Sequence, residues 1–172
     1  GCSLQNMTSE AQLIHKENVL KEQLAHFGQI QVKNWLKPIR SDSQAYRSKA
    51  RLGVYFDSSL NKMVLGFREK QSKRLTDIDV CPILHKSIER LITPLRALVE
   101  GQENPRSITH VELAVSDTEQ AVVIRHMNEF SEKDKQSLLS FSKNENVRLF
   151  LQGKANSPAQ ELVSSVHELE YS

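Results

Sequence analysis

Three cations alternate along one short stretch of this sequence: Arg47, Lys49 and Arg51. A period of two predicts a strand over 46–56 with these residues on one face and Leu52, Val54 and Phe56 on the other. Tyr55 shares the cationic side, and Arg68 follows in the next apolar run. Planar guanidinium groups match phosphate oxygens, and a tyrosine ring stacks on an exposed base. The chemistry suited to this pattern is therefore RNA binding. The plain alternative is a solvated outer sheet face, since antiparallel sheets commonly keep one polar side. Three consecutive outward cations with no interleaved acid fit that alternative less well.

Two thiols are the other chemical candidates. Cys2 and Cys81 lie 79 residues apart. Cys81 precedes Pro82, a context that closes ligand sets in iron–sulfur proteins. Two thiolates make half of a four-ligand site, whether for zinc or for an iron–sulfur cluster. Unrelated thiols are the simpler reading of the spacing alone. None of the six histidines stands at ligand spacing from either cysteine. His15 and His26 fall on a first helix, His85 opens a middle one, and His110, His126 and His167 lie on or beside strands. Each reads as a surface or core residue. With six glycines there is neither a dinucleotide-binding nor a phosphate-loop pattern.

These residues must be positioned by a modest chain. Its 172 residues suit one domain with an appendage. Hydrophobic residues make up 38% and charged residues 26%, enough for a packed core. No apolar run is long enough to span a membrane, and no leader is visible. Two cysteines do not make a disulfide scaffold, and a reducing, cytoplasmic setting is expected. The chain starts without Met and reads as cut from something longer. The net charge of +2 hides a division: residues 33–74 carry eleven Lys/Arg and three acids, a net +8, and the remainder carries −6. A local excess of this size attracts polyanions.

The periodicity predicts a helix over 8–27, with Ser9 as cap and Leu13, Leu20, Leu24 and Phe27 on one stripe, stopped at Gly28. A polar connection follows to residue 45. The strand over 46–56 turns through 57–62 into a second strand at Met63, Leu65 and Phe67, with Arg68 and Lys70 opposite. Leu75 to Val80 is a shorter strand. Residues 83–100 read as helix, kinked or restarted at Pro94. A second hairpin joins 108–115 to 121–127. A helix over 131–143 starts at Ser131, a strand follows at 147–151, and another is expected within 162–171. Mixed hairpins and helices give an α+β fold, a mostly antiparallel sheet with flanking helices. Residues 1–42 form a cysteine-containing start, helix and connection, and 43–172 the α+β domain.

In combination, several motifs resemble a known family. Gly1-Cys2-Ser3-Leu4-Gln5 looks like the end of a C-G-G-C-x-L-Q motif. Tyr46-Arg47-Ser48-Lys49-Ala50-Arg51-Leu52, Leu65-Gly66-Phe67-Arg68 and Asp79-Val80-Cys81-Pro82-Ile83-Leu84 follow in order, and His110-Val111-Glu112-Leu113 and Ile124-Arg125-His126 also fit. This is the pattern of the bacterial iron–sulfur-containing 23S rRNA (uracil-5-)-methyltransferases. The resemblance implies a central-domain fragment, flanked in the whole protein by an RNA-binding barrel and a methyltransferase domain. It implies that Cys2 and Cys81 are the third and fourth ligands of a 4Fe–4S cluster. It places the S-adenosylmethionine site, the catalytic cysteine and its partner carboxylate outside this sequence. In the family that cysteine attacks C6 of the uracil, and C5 takes the methyl group. The partner implied is 23S rRNA, with RNA contacts from Arg47, Lys49, Arg51, Tyr55 and Arg68. The fragment alone is expected to be inactive, to bind neither the cluster nor S-adenosylmethionine, and to self-associate through its first helix, whose stripe would pack on the methyltransferase domain. Two rivals remain at this stage: a stand-alone RNA-binding module, and a zinc-stabilised interaction domain.

Overall fold

The computed structural model describes residues 3–153 and 157–163. The chain divides into two compact units, 1–43 and 44–172. The first holds a single long helix, α1 (Ser9–His26). Its N-cap is Thr8 rather than Ser9: the Thr8 hydroxyl accepts from the Ala11 amide at 3.3 Å. The Gln12 side-chain amide donates to the carbonyls of Leu4 and Met7. No residue of α1 is buried. Of the predicted stripe, Leu20 is 47% and Phe27 89% exposed, while Leu13 and Leu24 are half-buried.

The second unit is a seven-stranded sheet with helices on one face. Its strands are β1 (Lys49–Asp57), β2 (Lys62–Arg68), β3 (Leu75–Asp77), β4 (Ile108–Val115), β5 (Gln120–His126), β6 (Arg148–Gln152) and β7 (Gln160–Glu161). Their order is β3-β2-β1-β4-β5-β6-β7. All neighbouring pairs are antiparallel except β5 and β6. Parallel neighbours need a crossover, and α4 (Glu132–Glu145) provides it. The fold is α+β with a mostly antiparallel sheet, as the hairpin signals indicated.

Alternation sorts the sheet into two faces. Leu52, Val54, Leu65, Val111, Leu113, Val122, Ile124 and Leu149 are buried on the inner one. They meet Ile88 of α2 (Lys86–Glu89), Ile92, Leu95 and Val99 of α3 (Ile92–Glu100), and Leu138 and Phe141 of α4. Each large side chain removed from water contributes roughly 1.5–3 kcal/mol.

The middle helical stretch over 83–100 does restart, but at Ile92 rather than at Pro94, after a break that follows Glu89. Pro94 is the third residue of α3, where the first-turn amides have no helical acceptor, so its missing N–H costs nothing there. α4 runs to Glu145 because Asn146 adopts a left-handed φ of 52° and ends it. The third strand is only Leu75–Asp77. The strand expected within 162–171 lies mostly outside the described residues.

Candidate nucleic-acid interface

Gly53 is the centre of the outer face. It stands opposite Gly66 on β2 and His110 on β4. His110 stands opposite Arg125 on β5. Cross-strand partners share a face, so His110 and Arg125 both lie outward, with Arg51 two residues before Gly53 and Arg68 two after Gly66. Leu75 pairs with Arg68 and lays its side chain over the Gly53 backbone; a Cβ at 53 would meet it at 2.6 Å. Arg51, Gly53, Arg68, Leu75 and His110 line an open depression of about 320 Å³.

The depression is cationic and sparsely compensated. Arg51 Nε lies 3.5 Å from Glu112, with both side chains about half exposed. Among the described residues Arg68 and Arg125 have no carboxylate partner, as is also true of Arg47, Arg74 and Arg106, whereas Arg40 and Arg90 each have one and Arg96 and Arg148 each have two. The His110 ring records this: its burial, followed by the charges of Arg51, Arg125 and Arg68, holds it below the usual imidazole range, and Glu112 only partly opposes them. Its Nδ1 lies 3.2 Å from the Thr109 hydroxyl.

Tyr55 lies at the end of the same face, 40% exposed. Its hydroxyl donates to Asp57 at 3.3 Å. Partial desolvation and then the Asp57 charge hold that hydroxyl above the ordinary phenol range, so it stays protonated at neutral pH. Asp57 is fixed in turn by the Ser59 hydroxyl at 2.6 Å and by the Ser59 and Leu60 amides. The ring is therefore oriented, with a face open to solvent.

Of the five residues expected to contact RNA, Lys49, Arg51, Tyr55 and Arg68 fall on or beside this outer face, and all four are exposed. Arg47 does not join them. The strand starts at Lys49 because the Arg47 backbone is engaged elsewhere: its amide donates to Ile83 and its carbonyl accepts from His85. Its Nε donates to the Lys49 carbonyl, and its guanidinium lies 5.7 Å from the Phe67 ring, whose strand position is on the inner side. His110 and Arg125 were missed as site residues. The signal for them existed: inward Val111 and Leu113, and Val122 and Ile124, turn His110 and Arg125 outward.

Cys81 is half-buried against the core, and its amide donates to Glu89 Oε1 at 3.1 Å. Cys2 lies outside the described residues. Among the described residues no three His, Cys, Asp or Glu side chains converge to hold a metal. Two cysteines are half of what a 4Fe–4S cluster takes, so the residues of this chain do not by themselves fit that group.

No protein-family model matches the chain. Curated relatives do. Over 169 residues it is 39% identical to the 23S rRNA (uracil(1939)-C(5))-methyltransferase RlmD of Alcanivorax borkumensis, covering 98% of this chain and 36% of that protein. For the Hahella chejuensis enzyme of the same name the figures are 40%, 90% and 34%. The chain resembles one stretch of the 23S rRNA uracil-C5-methyltransferases. That is the family its motifs indicated, and the chain spans about a third of the length of the relatives it matches. Among solved structures, a Pyrococcus abyssi tRNA (uracil-54, C5)-methyltransferase in complex with S-adenosyl-L-homocysteine shares the fold. Its TM-score is 0.61 at 20% identity, over 92% of this chain and 38% of the other. Among the described residues no helix is long and apolar enough to cross a membrane.

Proposed function

We propose that this chain is part of an S-adenosylmethionine-dependent, cytoplasmic enzyme that methylates C5 of a uridine in 23S rRNA, and that its part is to hold the RNA. The observation that carries the second half is the outer sheet face. It gathers Lys49, Arg51, Arg68 and Arg125 on strands of one sheet, sets Tyr55 beside them, and among the described residues gives Arg51 its one acidic partner, Glu112. A folding role does not explain such a grouping, because like charges on one face repel. The 39% identity to the Alcanivorax borkumensis rRNA methyltransferase supports the first half.

In this reading the residues divide their work. Lys49, Arg51 and Arg68 neutralise backbone phosphates and fix the register of the RNA, which carries no sequence information by itself. Tyr55 offers its ring to an unstacked base. Units 1–42 and 43–172 serve as an attachment segment and an RNA-holding domain. Cys2 and Cys81 stand as two of four cluster thiolates, the other two coming from outside this sequence. The exposed stripe of α1 is covered in the longer protein, or by a second copy when the chain is alone.

The test uses the whole methyltransferase carrying this stretch, with K49A, R51A and R68A combined. The substitutions are outward-facing, and their effect on folding should be small. The expected result is a raised KM for rRNA with kcat retained at saturating RNA, and a shallower salt dependence of binding. An unchanged KM and an unchanged salt slope would overturn the assignment of this face to RNA.

A further inference from the structure

Resting on that reading, we propose that the depression around Gly53 is a seat for one phosphodiester of single-stranded RNA, gripped by Arg51, Arg68 and Arg125, with His110 at its centre. Four strands contribute: β1 gives Arg51 and the Gly53 backbone, β2 gives Arg68, β4 gives His110 and β5 gives Arg125. Leu75 of β3 forms the apolar rim.

Three features single out an anion of this size and kind. Arg51 and Arg68 line the depression together with His110, Arg125 stands opposite His110 on β5, and Glu112 is the acid that pairs with Arg51 there. An arrangement of like charges is strained while empty and relaxed when an anion enters. The site is a shallow, open depression on a broad sheet, which suits a linear polyanion passing over it. A closed cavity would instead suit a free metabolite. Finally, Gly53 adds no side chain of its own to the depression; the flexible end of Leu75 lies over its backbone and swings aside when the anion enters. At neutral pH His110 is uncharged in the empty site, and either ring nitrogen can present an N–H to a phosphate oxygen.

The experiment follows the ring signals of the histidines by NMR in the intact 172-residue chain while a single-stranded oligouridylate is added. In parallel, affinity is measured against salt for the wild type, R68Q, R125Q and the doubly substituted chain. His110 signals should shift, while those of His126, buried on the opposite face with Nδ1 hydrogen-bonded to the Asn128 carbonyl at 2.8 Å, should not. One lost phosphate contact on single-stranded RNA should reduce the slope of log K against log salt by about 0.7. RNA binding with His110 unmoved and with slopes equal across the variants would overturn the seat but leave the RNA reading standing. Wild-type chain that binds no RNA even at low salt would overturn both. The wild-type NMR arm decides the matter even if a variant fails to fold.

Discussion

Replacing Gly66 by alanine should destabilise the sheet far more than the same change at Gly53, although the two residues face each other across β1 and β2. At position 66 a Cβ would stand 1.8 Å from the Thr76 carbonyl oxygen and 2.8 Å from its carbon. Both obstacles are backbone, so β3 must move away. β3 is held to β2 by three register pairs, Gly66 with Asp77, Phe67 with Thr76 and Arg68 with Leu75, and by Asp77, which takes the Lys62 ammonium and the Leu65 amide. At position 53 the obstacles are the Cδ atoms of Leu75 at 2.6 and 2.8 Å, the far end of a flexible side chain. Overpacking costs about 1–3 kcal/mol, and the upper half of that range applies where backbone must give. Removing glycine from a strand returns roughly 0.5–1 kcal/mol. The net is a loss of about 2 kcal/mol for G66A and under about 1 kcal/mol for G53A. At roughly 2–4 °C per kcal/mol, G66A should lower Tm by about 4–8 °C. The assay is thermal unfolding by circular dichroism, with amide exchange as the local readout. In G66A the β3 amides should exchange faster while those of β5 stay protected. Equal Tm losses for the two variants, or a G66A chain as stable as wild type, would refute the reasoning.

RNA affinity should depend on pH through His110. Burial and then Arg51, Arg125 and Arg68 hold the pKa of the ring in the empty site below the usual imidazole value, against Glu112. A bound phosphate raises that pKa, so binding takes up a proton and tightens as the pH falls through the RNA-bound value. It levels off below the free value, and H110N should flatten the dependence; a wild-type affinity independent of pH between 5 and 8 would refute it. The chain should also self-associate through α1 and its C-cap, where Leu20 and Phe27 are exposed. Sedimentation should show a concentration-dependent rise in mass that L20Q/F27Q removes, and a strictly monomeric wild type would contradict this.

Much of this fold is readable in the order of residues, and what is not readable has physical causes. Period-two alternation located β1, β2, β4 and β5 within a few residues, because one face of each packs on the core and the other meets water. The parallel pairing of β5 with β6 was not legible: pairing direction depends on where α4 carries the chain, and no local pattern encodes that. Strand ends were also hidden. Arg47 fits the alternation as well as Lys49 does, but long-range bonds to Ile83 and His85 pull its backbone out of the ladder. His110 and Arg125 lie 57 and 72 residues from Gly53, and only the strand order brings them together. The basic character of the site was therefore legible, while its membership was set by topology.

In the proposed function the outer face of this sheet, and not its helical layer, meets RNA. Ultraviolet crosslinking of a uridine-rich single strand to the 172-residue chain, with attachment sites read by mass spectrometry, tests it most directly. Crosslinks are expected at Tyr55 and in the peptides carrying Arg51, Arg68 and His110. Crosslinks confined to α3 and α4, between Ile92 and Glu100 and between Glu132 and Glu145, would contradict it.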